Sequence, residues 1–396
     1  MQALPSFLFQ SVRRIEVAAG CSARLGEVAD DLNPAGPGGG VALVVTDAFL
    51  AASGLLGPAR ASLAERGWRV AVFDAVTPDP SESVVEAALA RAREVGAGLV
   101  IGFGGGSSMD VAKVVACLAR PGATLRLADL YGVESVRADR LPLVQVPTTA
   151  GTGSEVTRIA IVTTGEHTKA GIVNRALLAD HVLLDATLTL GLPPAVTAAT
   201  GIDAMVHAIE AATSRLRRNP MSDLLAREAL RRLGANLMRA VEDGRDLAAR
   251  EAMLFGAMLA GMAFENAPVA AVHALAYPLG GIHHLPHGLS NALVLPHVMR
   301  FNRAGSDAAE ATYAELAQVM LPDLAGDVAA RCDALIDHLA VLSARAGLPV
   351  RLRDCGIAES GLPRLAREAM GQQRLLQNNP RPVTEADALA IYQAAH

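Results

Sequence analysis

GLVIGFGGGSSMDVAK, residues 98–113, joins a short β-rich run to a glycine-rich turn and then to a segment of helical character. GLVI reads as a strand, and the consecutive glycines Gly104, Gly105 and Gly106 let the backbone turn sharply. Ser107 then opens a helix whose positive end points back into the turn, where backbone N–H groups can approach an anion. A strand followed by such a turn and a helix is the repeating step of an α/β sheet, and the flanking sequence repeats it. Residues 12–17 (VRRIEV), 41–45 (VALVV) and 69–73 (RVAVF) are further β-rich runs, while 48–66 and 81–95 read as intervening helices. Ser81 or Ser83 is a plausible cap for the second of these. Strands alternating with helices predict a parallel sheet covered on both faces, with ligands bound beyond the carboxyl ends of the strands.

Several polar residues fall at those ends. Asp47 follows the strand VALVVT, where a carboxylate either hydrogen-bonds an adenosine ribose or caps the next helix. Asp79 lies in the rigid turn TPDPS (77–81), with the same pair of readings. The turn at 102–108 is neither the GxGxxG fingerprint nor a Walker loop, and Lys113 lies too far into the helix to serve as a phosphate lysine. Farther on, LVQV leads into PTTAGTGSE (147–155) and a second strand. The hydroxyls of Thr148, Thr149, Thr152 and Ser154 either face a nucleotide or satisfy their own backbone. Lys169 sits in another expected strand.

The character changes near Leu190. After the junction GLPPAVTAAT, segments 194–212, 220–241, 246–263, 267–277, 290–302, 307–320, 325–346 and 359–370 all read as helical. The expected architecture is therefore an α/β nucleotide-binding domain over 1–190 and an all-helical domain over 191–396. Within the latter, GIDAMVHAIE (201–210) carries Asp203 and His207 four residues apart on one helix face. Such a pair suits a shared divalent cation, and equally a simple hydrogen bond. His273 and His287 follow in apolar, charge-poor sequence. One carboxylate with three imidazoles is a donor set for Fe(II) or Zn(II) rather than for a hard cation.

Composition bounds the alternatives. The 396 residues are 51% hydrophobic and only 3% aromatic, so small aliphatic packing dominates, and the length suffices for two cores. A formal net charge of −5 without a basic block argues against nucleic acid. No uninterrupted apolar run reaches the roughly 18 residues of a membrane span, and the start lacks the order of a signal peptide. Cys21, Cys117, Cys332 and Cys355 form no CxxC and read as reduced thiols, so a cytoplasmic protein is expected.

Together these pieces resemble the iron-containing (group III) alcohol dehydrogenase family. The segments that carry the resemblance are GGGSSMDVAK (104–113), PTTAGTGSE (147–155), GIDAMVHAIE (201–210), AGMAFENA (260–267), the region 273–297 and NNPRPVTEAD (378–387), along essentially the whole chain. The resemblance implies a dehydroquinate synthase-like architecture and NAD(P)-linked interconversion of an alcohol and a carbonyl, usually with Fe(II) and sometimes with Zn(II). It implies Asp203, His207, His273 and His287 as metal ligands. It implies Asp47, Asp79, Gly105, Gly106, Ser107, Thr148, Thr149, Thr152, Lys169 and Leu188 as cofactor contacts, with Asp47 favouring NAD over NADP. A homodimer or larger homo-oligomer acting on a small alcohol or aldehyde is expected.

One position departs from the pattern. Many members read HxxxH at the third ligand, whereas HALAY places Tyr277 where the second histidine stands. Tyrosine titrates near 10 rather than 6.5, so Tyr277 is expected to shape the substrate pocket and donate a hydrogen bond rather than relay protons. The hydroxyacid–oxoacid transhydrogenases share a tyrosine there, and maleylacetate reductase has a related fold, so both stand as alternatives. A dehydroquinate synthase-type lyase needs a basic cluster around a substrate phosphate, yet 260–297 contains no Lys or Arg. The same absence favours an uncharged substrate.

Overall fold

The computed structural model describes residues 6–33, 36, 38–165 and 168–396. It forms two compact units, one of residues 11–149 and 153–190, the other of residues 6–10, 150–152 and 191–396.

The first unit is built on strands β1 (Arg14–Val17), β2 (Gly40–Val45), β3 (Trp68–Phe73), β4 (Leu99–Gly104), β5 (Gly132–Val133), β6 (Leu143–Pro147), β7 (Ile159–Thr164), β8 (Thr168–Val173) and β9 (His181–Leu184). Six of them make one sheet in the order β1-β9-β6-β4-β2-β3, parallel at every pairing. Every residue of β4, β6 and β9 is buried, as expected for strands covered on both faces. Helices α1 (Leu25–Leu32), α2 (Ala48–Ala52), α3 (Gly57–Glu65), α4 (Glu82–Val95), α5 (Gly106–Leu118) and α6 (Leu127–Leu130) belong to the same unit. The helix expected over 48–66 is broken, because Gly54 adopts φ +82° and Pro58 restarts the chain as α3. The strands expected after PTTAGTGSE do form, but as a separate small sheet, β5-β8-β7, in which β7 and β8 run antiparallel.

A buried cation joins the small sheet to α5. The Lys113 side chain is fully buried, and its Nζ donates to Ser154 Oγ (2.7 Å) and the Ile159 carbonyl (2.6 Å). Asp110 Oδ1 and Thr157 Oγ1 lie 3.3 Å away, so four oxygens surround the ammonium. Lys113 is thus a tie between α5 and the chain at 154–159, in agreement with its depth in the helix. Burial pushes the Glu155 carboxyl up to about 7, while Lys113 pulls it back.

The second unit is helical: α7 (Pro194–Thr213), α8 (Pro220–Glu242), α9 (Leu247–Asn266), α10 (Ala271–His283), α11 (His287–Arg303), α12 (Asp307–Met320), α13 (Val328–Arg345), α14 (Leu362–Ala369), α15 (Gln373–Leu376) and α16 (Glu385–Ala395). α7 packs against α8, α9 and α11, and α10 against α11. Leu247–Asn266 is long and apolar enough to cross a membrane, but its residues are mostly buried inside this unit, where α9 is a core helix. The buried Arg250 on α9 donates to Thr197 Oγ1 (2.7 Å), the Leu192 carbonyl (3.2 Å) and the Gly244 carbonyl (3.0 Å), tying α9 to the start of α7. Near the C-terminus, Asn379 and Asn302 exchange amide hydrogen bonds of 2.7 and 3.2 Å, which anchors the segment NNPRP on α11.

Two helix limits differ from expectation in ways that bear on the site. α10 runs through Pro278 to His283 instead of stopping at 277, so Tyr277 lies inside the helix rather than at its end. α11 begins at His287 rather than 290, with Pro286 as its N-cap.

Candidate metal centre

Asp203 and His207 lie on α7, His273 on α10 and His287 at the first turn of α11. One ligand atom from each of the four lies within 4.8 Å of the others. From Asp203 Oδ1 the distances are 3.6 Å to His287 Nε2, 3.9 Å to His273 Nε2 and 4.0 Å to His207 Nε2. Ligands about 2.0–2.2 Å from one cation stand roughly 3.4 Å apart in a tetrahedron, so only small movements would close the set on an ion. Asp203, His207 and His273 are buried, and His287 is partly exposed.

Small residues let the helices come this close. A Cβ on Gly288 would sit 2.2 Å from the Ala199 carbonyl oxygen, and one on Gly201 would sit 2.5 Å from Leu237 Cδ1. The imidazoles are also held by stacking. His207 lies between Phe264 (ring centroids 4.4 Å) and His273 (4.7 Å). Tyr277 is 6.1 Å from the His287 ring, next to the set but outside it.

The electrostatics suit a cation. Burial raises the Asp203 carboxyl, yet the three histidines and Asn291 more than offset it and hold the group below its ordinary value. Burial lowers His207, and it lowers His273 well below the usual imidazole range, so both rings stay neutral with lone pairs available. His207 Nδ1 is buried without a hydrogen bond of ordinary geometry, the Gly151 backbone being the polar group that faces it.

Two residues at this centre escaped the sequence reading. Asn291, one turn after His287, donates from Nδ2 to Asp203 Oδ1 at 2.6 Å and lies 3.3 Å from Nε2 of both His273 and His287. Glu210 accepts from Val272 N–H (2.7 Å), and its other oxygen lies 2.6 Å from His273 Nδ1. Burial pushes its carboxyl up to about 7, against the pull of the Ala270, Val272 and His273 backbone. Both were visible as spacing: Asp203, His207 and Glu210 repeat at i, i+4 and i+7, and His287 and Asn291 at i, i+4.

The expected cofactor residues are placed as follows. Asp47 caps α2, accepting from Leu50 N–H at 2.9 Å through Oδ1. Asp79 caps nothing; at φ +51° its carboxylate pairs with Lys169 Nζ at 2.6 Å. Gly105 is the N-cap of α5, and no side-chain hydrogen bond caps that end. Gly106 and Ser107 begin the helix. Gly104 has φ +154°, and a Cβ there would meet Ser108 Oγ at 2.7 Å. Thr148 is buried and its N–H donates to the Gly104 carbonyl at 3.0 Å, which fixes the two loops side by side. The Thr149 side chain lies 3.6 Å from where a Gly105 Cβ would be. Leu188 is buried in a 3₁₀ turn, and Thr152 belongs to the helical unit.

Residues 13–186 match the family "Iron-containing alcohol dehydrogenase", and residues 197–396 match "Fe-containing alcohol dehydrogenase family, C-terminal". Long-chain-alcohol dehydrogenase 1 of Geobacillus thermodenitrificans is 42% identical over 362 residues, 89% of each chain. A crystal structure of 1,3-propanediol oxidoreductase superposes with a TM-score of 0.93 at 35% identity, covering 99% of this chain and 100% of that one. Sulfoacetaldehyde reductase from Bifidobacterium kashiwanohense, solved in complex with NAD+, gives 0.87 at 28% identity over 99% of both chains. The chain belongs to the iron-containing alcohol dehydrogenase family and is an alcohol dehydrogenase.

Proposed function

We propose that the enzyme is NAD-dependent and oxidises small uncharged alcohols, or reduces the matching aldehydes, with one Fe(II) held by Asp203, His207, His273 and His287. The convergence of those four ligand atoms within 4.8 Å is the observation that carries the reading. The donors fit the ion: a depressed carboxyl and neutral rings offer lone pairs without a proton to displace. Three imidazoles and one carboxylate match borderline cations such as Fe(II) and accept Zn(II). When bound, the cation supplies Lewis-acid polarisation of the substrate oxygen.

The chain's own groups do the rest. α5 offers its uncapped first turn at Gly105, Gly106 and Ser107 to a pyrophosphate, beside Thr148 and Thr149. Asp47 is the group for an adenosine ribose hydroxyl, and its charge disfavours a 2′-phosphate. Asp79, Lys169, Thr152 and Leu188 complete the proposed contacts, with residues 1–190 as the nucleotide-binding domain and 191–396 as the metal and substrate domain. Tyr277, next to His287, shapes the substrate pocket and donates a hydrogen bond. Two relatives bear on the substrate through their names, a long-chain-alcohol and a propanediol enzyme, and the lack of Lys or Arg over 260–297 supports an uncharged one. The exposed apolar residues Leu216, Met221 and Leu224 support a homo-oligomer, and the cysteine pattern a cytoplasmic setting.

The test is an activity panel on protein stripped of metal and reloaded with Fe(II), Zn(II) or Co(II). Alcohols and hydroxyacids are offered with free NAD+ or NADP+. Metal-dependent NAD+ reduction by uncharged alcohols is expected. Activity indifferent to stripping, or confined to hydroxyacid–oxoacid exchange without free NAD+, contradicts the reading.

A further inference from the structure

We propose that Glu210 is a positioning residue of the metal centre, fixing the ring and the helix of His273. This rests on the metal reading above and extends it to a side chain outside the ligand set.

Glu210 lies seven residues after Asp203 on α7, two turns along the same face, and is buried. It does not belong to the converging set, because it meets His273 at Nδ1, across the ring from the Nε2 that faces Asp203. An imidazole carries one hydrogen when neutral. If Nε2 is to give its lone pair to a cation, that hydrogen must sit on Nδ1 and needs an acceptor, which Glu210 Oε2 provides at 2.6 Å.

The second oxygen holds the helix. α10 has Ala270 at its N-cap and no side-chain cap there. Glu210 Oε1 reaches across from α7 and accepts the Val272 N–H at 2.7 Å. One carboxylate therefore caps α10 at its positive end and orients the ring in that helix's first turn. A glutamine has one acceptor oxygen for these two donors, so it must leave either the helix end or the ring unpaired.

The test uses the full-length chain loaded with Co(II), with affinity read by chelator competition and geometry by the visible d–d bands. Four variants are compared: Glu210→Gln, Glu210→Asp, Asp203→Ala and Tyr392→Phe. Tyr392 donates to the Leu275 carbonyl on α10 (2.6 Å), so its variant removes a different anchor of the same helix and leaves the partners of His273 Nδ1 and Val272 N–H in place. Glu210→Gln is expected to weaken Co(II) binding 10–100-fold and to alter the bands. Glu210→Asp, which keeps two carboxylate oxygens, should retain more of the affinity, and Tyr392→Phe should lower Tm with affinity unchanged. Wild-type affinity and bands in Glu210→Gln would overturn the proposal, as would an equal loss in Tyr392→Phe. Weaker binding by Glu210→Asp than by Glu210→Gln would overturn the need for two acceptor oxygens, and where Glu210→Gln does not fold, a wild-type result for Glu210→Asp overturns the positioning role. Undiminished affinity in Asp203→Ala would instead sink the metal reading on which the proposal stands.

Discussion

Buried charge is handled in opposite ways at Lys113 and Asp185 of the α/β unit and at Asp203 of the helical unit, where Arg250 by contrast is satisfied much as Lys113 is. In the α/β unit, buried ions are satisfied by the chain itself. Lys113 is enclosed by four oxygens, and the buried Asp185 accepts from the N–H and hydroxyl of both Ser22 and Thr187 and from Gly20 N–H. In the helical unit, Asp203 has the Asn291 amide as its short hydrogen bond, and the other groups around it are three imidazoles. A charge surrounded by complementary dipoles is a fastening. A buried carboxylate among three imidazoles, with one short hydrogen bond, is a donor set that a cation can complete.

This contrast can be broken most sharply at Asp203. Replacing it with alanine should cost about 10³-fold in kcat/KM, the scale of several kcal/mol of Lewis-acid assistance, with metal content falling in parallel. Loss of activity with full metal retention would separate catalysis from ligation. Lys113→Met is the counterpart in the other unit. It should remove roughly 3 kcal/mol of stability in urea unfolding, because Asp110 and its neighbours lose their buried cation, yet leave metal affinity unchanged.

A smaller effect is expected with pH. His207 has its folded pKa depressed by burial, so the stability it gives is present above about 6.5 and is lost as pH falls below that. Glu210, raised to about 7, takes up in the folded state the proton that His273 refuses, so that pair roughly cancels. His181, His283, His297 and His338 are also depressed, but they act alike in wild type and His207→Asn. The difference between those two metal-free proteins should therefore grow as pH falls below about 6.5, by at most about 1.4 kcal/mol per pH unit, and be flat above it. The smallest effect is at Asp47. Alanine there should cost about 1 kcal/mol through the lost cap of α2 and weaken NAD+ more than NADP+.

Much of this division was legible in the sequence, and the failures have physical causes. The parallel sheet followed from strand–helix alternation, and GLVI became the buried central strand β4. That Asp203 and His207 share a helix face was legible because helical spacing survives in any tertiary setting, whereas the approach of His273 and His287 from two other helices was implied only by the family resemblance. Glu210 and Asn291 obeyed the same spacing, but their roles depend on partners on other helices, at His273 and Asp203, which no local pattern shows. The ion pair of Asp79 with Lys169 spans ninety residues and was hidden for the same reason. The run 48–66 looked continuous because its residues favour helix on either side of Gly54, and only the left-handed turn there reveals the break. α10 outran Pro278 because its packing on α11 and α14 outweighs the one lost hydrogen bond.

The most direct test of the central claim is a crystal structure of Fe(II)-loaded protein with anomalous data collected on both sides of the iron edge. The account predicts one anomalous peak per chain, about 2.0–2.2 Å from a carboxylate oxygen of Asp203 and from Nε2 of His207, His273 and His287. A fully loaded protein whose peak lies elsewhere, or whose four side chains stay apart around water alone, would contradict it.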